Sequence, residues 1–151
     1  MSAATTHGPH PVSANQFLGS EGAVGLLAEL RRATDGRAGD RLSGAIRAVP
    51  TSGTTLPVAE VDAAIAAITL LLSEYDTTLL DGTDDEPALR HWLHNVDTEL
   101  TPGRMLAASA ALARMQLNLD NEWYAAHEQA GTLPLALRAL RRLQDGLADA
   151  T

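Results

Sequence analysis

The stretch Val58-Ala-Glu-Val-Asp-Ala-Ala-Ile-Ala-Ala-Ile-Thr-Leu-Leu-Leu-Ser-Glu-Tyr75 decides the fold, because its segment from Ala63 to Ser73 carries no charge. The apolar spacing is that of a helix, and the polar stripe holds only Asp62, Thr69 and Ser73. A helix with so narrow a polar stripe should lie at the centre of a bundle. The residues expected on its broad apolar face are Val61, Ala64, Ile65, Ile68, Leu71, Leu72 and Tyr75.

Six further helices are predicted around this one from caps, prolines and apolar spacing. Two precede it: Ser20 to Thr34, with Ser20 as N-cap, and Asp40 to Val49, ended by Pro50. Four follow it. The first is opened by Pro87, with Leu89, Trp92, Leu93 and Val96 buried, and the second runs from Thr101 to about Leu117. The third is capped by Asp120-Asn121 and ends at Gly131, and the last begins at Thr132-Leu133-Pro134, with Leu137, Leu140, Leu143 and Leu147 inward. The short connections predict that successive helices are antiparallel neighbours.

The composition points to the same fold class. Alanine and leucine supply 51 of the 151 residues, whereas only five residues are aromatic. Alanine and leucine are good helix formers, whereas strands favour β-branched and aromatic residues. The sequence therefore predicts an all-α protein, a single compact bundle of about six or seven antiparallel helices, with stacked helical hairpins as one arrangement.

The charged residues and the missing residue types exclude several functions. The chain has no cysteine, which rules out disulfide scaffolds, thiolate metal sites and thiol catalysis. It has no lysine either, since all 11 basic residues are arginine, and this removes Schiff-base chemistry and a phosphate-binding P-loop lysine. The net charge of −8 would repel a phosphate backbone, so no nucleic-acid partner is expected.

Residues 1–15 are predicted to form a flexible arm, and residues 16–151 a single helical domain. The arm has no apolar run of the kind that a secretory signal needs. The longest uncharged helical stretch is well short of the roughly 20 residues that span a bilayer. A cytoplasmic protein without a membrane partner is therefore expected, and its oligomeric state is left open.

Two histidines on the fourth predicted helix form the first candidate site. His91 and His94 lie three residues apart, so they project close together and could ligate one metal ion. The apolar stripe of the helix places both on the solvent side, and Thr98 and Pro87 offer no strong third ligand. The alternative is a solvated histidine face, and no cofactor is predicted.

An acidic run from Asp81 to Glu86 precedes the same helix. Its spacing does not match a calcium-binding loop, which needs a closing glutamate at the twelfth position. Carboxylates before Pro87 would instead face the positive end of the helix dipole. The run is interpreted as helix capping.

The sixth predicted helix carries the candidate ligand-binding residues Glu122, Trp123, Tyr124 and His127. Trp123 and His127 are one turn apart on one face, so their rings should stack. In a chain with few aromatic residues, this pair could form the floor of a small-molecule pocket. The alternative is simple packing, with the imidazole hydrogen-bonded to a carbonyl or a carboxylate.

The order of these segments resembles an uncharacterised bacterial family of small all-helical proteins, a domain of unknown function. Its members open with G-x-W-G-x-G-x-F-x-N-D-x-A, and Phe17 stands here in the corresponding place before the helix at 22–30. The segments Leu89 to Leu93 and Glu99 to Pro102 are also similar, and Asp120-Asn121-Glu122 resembles the family's D-N-S-E-L. The resemblance spans most of residues 15–147 and implies an all-helical fold without an established activity.

This chain departs from the family pattern at three places. Gly19-Ser20 replaces the family's Asn-Asp, the early tryptophan is missing, and His127 lies near a position that usually holds tryptophan. Any site formed by the family's opening motif should therefore be lost or altered in this protein.

Two functions from different classes are expected from the sequence. The first is a non-catalytic acidic module that binds a basic protein, as inhibitor and immunity-type proteins do. The alternative is a small-molecule-binding protein, or an unusual enzyme, with its pocket around Trp123 and His127. In the enzymatic form Glu122 or Glu128 would carry protons, but no residue can be assigned as catalytic from the sequence.

Overall fold

The computed structural model describes residues 18–33, 37–51, 55–83 and 86–150, and in these ranges the chain is all-α, as predicted. Seven α-helices pack against one another around one hydrophobic core, and no strand occurs among the described residues. The helices are α1 (Glu21–Arg32), α2 (Arg37–Thr51), α3 (Val58–Leu72), α4 (Glu86–Leu93), α5 (Pro102–Met115), α6 (Glu122–Ala130) and α7 (Leu133–Asp149), with a 3₁₀-helix, η1 (Thr77–Leu80), between α3 and α4. The antiparallel order of neighbouring helices stays a prediction.

The α3 helix lies at the centre, in contact with α1, α2, α5, α6 and α7, as its narrow polar stripe predicted. Every residue from Ala64 to Leu72 is buried. Thr69 and Ser73 are buried too, because their hydroxyl groups donate to backbone carbonyls of the preceding turn at 2.7 and 2.6 Å. Of the predicted polar stripe, only Asp62 is left partly exposed.

The prediction that Pro50 ends the second helix is wrong. The α2 helix begins three residues earlier than predicted, at Arg37, and continues through Pro50 to Thr51. A proline disrupts a helix interior because it lacks an N–H and crowds the carbonyl four residues earlier. Pro50 is the last residue but one of α2, so the disruption is confined to a terminal turn that is ending in any case.

The ends of α3 and α5 also differ from the prediction. The chain turns after Leu72, whose carbonyl accepts the N–H groups of both Tyr75 and Asp76 at 2.9 Å. Tyr75 is therefore 54% exposed rather than part of the apolar face. The α5 helix stops at Met115 rather than Leu117, because the side-chain amide of Asn121 donates to both of these carbonyls, at 2.8 and 2.9 Å.

The caps predicted for three of the helices are confirmed, whereas Thr132, at the start of α7, makes no side-chain cap hydrogen bond. The hydroxyl groups of Ser20 and Thr101 accept N–H groups in the first turns of α1 and α5. Asn121 caps α6, and Gly131, with a left-handed φ of 75°, ends it. The apolar repeat of α7 is confirmed as well, since Leu140, Leu143 and Leu147 are buried and Leu137 is half-buried.

Arg104 connects α5 to α2 and to the segment before α5, and it is 7% exposed. Its guanidinium donates to the carbonyls of Gly39, Asp97 and Glu99 at 2.8–3.2 Å and to the Ser43 hydroxyl at 2.9 Å. No local pattern in the sequence predicts this role for Arg104. The planar group with five N–H donors instead joins backbone carbonyls of the segment before α5 to the first turn of α2.

The predicted arm at 1–15 lies outside the described residues, as do Thr34 and Gly36 near the end of the first predicted helix. None of the helices that the structure describes is long and apolar enough to cross a membrane.

Candidate functional site

A cavity of about 250 Å³ opens between α3, α6 and α7, beside the N-cap of α1. We call it the Trp123 cavity. Its polar residues come from four parts of the chain, whereas its apolar residues lie on α3 and α7. The residues that line it are Ser20, Asp62, Ile65, Trp123, His127, Thr132, Leu135, Ala136, Ala139 and Leu140.

Trp123 is the largest fully buried side chain among the described residues, at 2% exposed. Its indole Nε1–H donates to the carboxylate Oδ1 of Asp62 at 3.0 Å. A buried indole usually needs such an acceptor, because an unpaired N–H group in the core is costly. The hydrogen bond joins α6 to the central helix and holds the Asp62 carboxylate at the cavity wall.

The backbone just before α6 fixes the position of Trp123. Leu56, two residues before α3, donates its N–H to the Asp120 carbonyl at 2.9 Å and accepts the Glu122 N–H at 3.0 Å. Between these two partners lies Asn121, which is 4% exposed and whose Oδ1 accepts the Tyr124 N–H at 2.9 Å. The start of α6 is thus attached to both the start of α3 and the end of α5.

His127 lies one turn after Trp123, and the predicted ring contact is present. The ring centroids are 4.5 Å apart and the planes meet at 66°, an edge-to-face arrangement rather than a parallel stack. The imidazole Nδ1 is 2.7 Å from the hydroxyl of Thr132, whose backbone N–H donates to the His127 carbonyl at 2.9 Å. The turn that connects α6 to α7 therefore orients the imidazole.

Burial shifts the pKa values of the two ionisable groups in the cavity, Asp62 and His127. It raises the pKa of Asp62 above the usual range, an effect that hydrogen bonds from Trp123 and Ser20 and the charge of His127 partly offset. Burial also lowers the pKa of His127, and the nearby Asp62 carboxylate opposes this shift. Burial therefore favours the neutral form of each residue, and the charge of the other residue only partly opposes it.

The structure brings two of the four predicted ligand-binding residues to the cavity. Trp123 and His127 line it, whereas Glu122 is exposed and Tyr124 packs at the edge of the core. Asp62 also lines the cavity and was not predicted from the sequence to belong to the site. Its one available signal was a lone carboxylate next to the longest uncharged stretch of the central helix.

The histidine pair predicted as a metal site lies at the end of α4, with His91 in its last turn and His94 just after it. Leu89 and Leu93 point inward with Trp92 half-buried, which leaves His91 and His94 exposed, as predicted. Within the described ranges, no group of three histidine or acidic side chains is placed to hold a metal ion.

The acidic run before α4 pairs with an arginine on that helix. Arg90 donates to Glu86 at 2.9 Å and to Asp81 at 3.1 Å, and Glu86 accepts the Gly82 N–H at 3.1 Å. Arg90 thereby holds the pKa of Glu86 below its usual range. The other two carboxylates of the run, at 84 and 85, lie outside the described residues.

A second concave surface, of about 700 Å³, lies along α1, α2 and α3. We call it the glycine groove, because glycines and alanines form its floor. A Cβ atom added at Gly25 or Gly44 would meet nothing within 4 Å, so neither glycine is required by packing inside the chain. The charged residues that line the groove are Glu21, Glu29, Asp40, Arg41 and Glu60, of which Arg41 is paired with Glu29.

Comparisons of the chain with protein-family models, with curated proteins and with solved structures found no match. The resemblance to the uncharacterised helical family therefore stays a prediction, and the site has to be interpreted from its own geometry.

Proposed function

We propose that the protein binds a small organic molecule in the Trp123 cavity. The observation that carries this proposal is that polar and apolar side chains line the same cavity. Asp62, His127 and Thr132 supply polar groups, and Ile65 and Leu140 supply apolar surface. Ligand sites typically combine an apolar lining with a few convergent polar groups that orient the ligand.

The volume limits the size of the ligand. Engineered apolar cavities of about 150 Å³ hold a benzene molecule. At about 250 Å³, the Trp123 cavity has room for a single ring with a short substituent. Leu135 lines the cavity and is 37% exposed, so its side chain can contact both a bound molecule and solvent.

A fragment screen with a filled-cavity control tests the proposal. Small aromatic and cyclic molecules would be titrated into the protein in a Trp92→Phe background, so that the emission reports Trp123 alone. We expect fragments that bind to lose affinity at least tenfold when Ala139→Leu fills part of the cavity. Ala110→Leu, at an exposed position on α5, is the matched control and should leave affinity unchanged. Fragments that bind both variants equally well would contradict the proposal.

The glycine groove favours a second candidate function, the binding of a basic protein segment. Glycine in the interior of a helix costs about 0.5–1 kcal/mol relative to alanine. Gly25 and Gly44 bear this cost without a packing reason inside the chain, and their missing side chains leave the groove deep enough for a partner to approach the backbone. Glu21 and Glu60 give its rim a negative charge suited to arginine or lysine.

A steric block and a charge change test the second candidate. An arginine-rich helical peptide should bind the protein more weakly as salt rises, and more weakly still after Glu21→Gln together with Glu60→Gln. Gly44→Leu should block the groove without loss of stability, because the added side chain points into open space. Glu128→Gln on α6, outside the groove, is the charge control. A peptide that binds the Gly44→Leu variant normally would rule out the groove.

A further inference from the structure

We propose that the ligand of the Trp123 cavity carries a protonated amine, and that this cation pairs with the Asp62 carboxylate. The inference rests on the proposed small-molecule function and specifies the chemical class of the ligand. The observation behind it is the half-buried Asp62 carboxylate on the cavity wall. Among the described residues, no arginine pairs with this carboxylate.

No arginine neutralises Asp62 among the residues that the structure describes. The ion pairs in these ranges join Arg41, Arg90, Arg104 and Arg142 to other carboxylates. Among the described residues, the hydrogen bond to the Asp62 carboxylate comes from Trp123, which is an uncharged donor. Burying part of a charge costs free energy when no opposite charge pairs with it, even if it is hydrogen-bonded. A cationic ligand would therefore be stabilised by the Asp62 carboxylate.

His127 cannot act as the permanent counter-ion of Asp62. Burial favours its neutral form by lowering the pKa, although the carboxylate acts in the opposite sense. Its Nδ1 is already occupied by the Thr132 hydroxyl. Near neutral pH the imidazole is therefore predominantly uncharged, and an added cation would provide the attraction that His127 does not.

The surroundings of Asp62 suit an organic ammonium better than an anion. The hydrogen bond from Trp123 fixes the orientation of the carboxylate, so a donor can meet it in one defined geometry. Ile65 and Leu140 lie beside it for an apolar substituent. An anionic ligand would face both this carboxylate and a chain with a net charge of −8.

Three probes of nearly equal size test the inference: benzylamine, benzyl alcohol and benzoate. In the Trp92→Phe background at pH 7.5, we expect benzylamine to bind at least tenfold more tightly than benzyl alcohol, and benzoate most weakly. Asp62→Asn keeps an acceptor for the Trp123 indole and removes the charge, so it should abolish the preference for benzylamine over benzyl alcohol. Asp145→Asn, exposed on α7, removes the same net charge away from the cavity and should preserve the preference.

A measurement on the unaltered cavity keeps the test valid if Asp62→Asn does not fold. The Asp62 carboxylate acts to raise the pKa of His127, so a bound ammonium that neutralises it should lower that pKa further. The neutral alcohol should produce a smaller shift, and the pKa can be followed by NMR of the imidazole.

The outcomes separate the inference from the function on which it rests. Equal affinity for benzylamine and benzyl alcohol would overturn the cationic ligand while supporting small-molecule binding. Tighter binding of benzoate than of benzylamine would also contradict the proposal that the ligand is a cation. Failure of all three probes to bind or to shift the resonances of cavity residues would overturn the proposed function itself.

Discussion

At the scale of single residues, His127 should make stability depend on pH. Its pKa is lowered by burial from the ordinary 6.5, so between that value and its folded pKa the unfolded chain binds more protons than the folded one. The contribution of His127 to the free energy of unfolding is therefore fully present above pH 6.5 and is lost as the pH falls through this window. Urea unfolding between pH 7.5 and 5 should show the loss.

The variant His127→Gln should flatten this pH dependence, because glutamine does not titrate. His94→Gln, at an exposed position just after α4, is the matched control and should retain the pH dependence. Asp62 acts in the opposite direction at lower pH, since a raised pKa means that protonation of its carboxylate favours the fold. If the free energy of unfolding depends on pH equally in the wild type and in His127→Gln, the proposed effect of burial on the His127 pKa is wrong.

Substitution of Arg104 should lower the free energy of unfolding more than most single substitutions in this protein. Replacement with methionine keeps much of the apolar stem but leaves the carbonyls of Gly39, Asp97 and Glu99 without their donor. We expect a loss of about 2–4 kcal/mol in the free energy of unfolding, as for other buried charged hydrogen bonds. Arg104→Lys should recover only part of it, because one ammonium cannot reproduce the planar fork.

Chemical denaturation measures the Arg104 effect, with Arg138→Met on the exposed face of α7 as the control. The control should change stability by less than about 0.5 kcal/mol, as surface substitutions usually do. Equal effects of the two methionine substitutions would mean that the buried guanidinium contributes nothing beyond its stem.

At the scale of helices, two glycines in α1 predict opposite effects of the same substitution. A Cβ atom at Gly22 would lie 2.4 Å from the Ala59 carbonyl oxygen of α3, whereas one at Gly25 would lie in open space. Gly22→Ala should therefore destabilise the protein by about 1–3 kcal/mol through overpacking. Gly25→Ala should stabilise it by about 0.5–1 kcal/mol through helix propensity. Thermal and urea unfolding of the two variants, side by side, measure both; a stabilising Gly22→Ala would show that α1 can move away from α3.

The helices also show which features the sequence could predict. Local signals sufficed where cause and effect lie within a turn: the Asn121 cap, the Gly131 terminus and the contact between Trp123 and His127 one turn apart. The apolar spacing of α3 likewise required a central position. Asp62 could not be assigned to the site, because its hydrogen bond to Trp123 depends on how α3 and α6 are rotated against each other, and that rotation has no local signature.

The role of Arg104 and the end of α2 near Pro50 show two limits of local sequence patterns. The acceptors of the Arg104 guanidinium include a carbonyl 65 residues away, which no local pattern reports. Pro50 was interpreted as a helix end from its interior behaviour, although a proline in a final turn disturbs little of the backbone ladder.

At the scale of the whole molecule, we expect one cooperative unfolding transition that chelators do not shift. The buried residues of all the helices belong to one continuous core, so no described helix has a separate core to melt on its own. Circular dichroism at 222 nm and calorimetry, with and without EDTA, measure this. A midpoint several degrees lower in EDTA would contradict it and return attention to His91 and His94 as metal ligands.

The backbone bridge between Leu56 and the start of α6 has a consequence for the kinetics of folding. The contacts beside it join distant parts of the chain, and the Trp123–Asp62 hydrogen bond alone closes a loop of 61 residues. Because closing a long loop costs entropy before its contacts can form, these contacts should be largely absent from the folding transition state. Asn121→Ala, which removes the cap inside the bridge, should accelerate unfolding and leave the refolding rate nearly unchanged. A chevron plot measures both rates, and slower refolding would place the bridge in the nucleus instead. The bridge then controls how long the folded state lasts rather than how quickly it forms.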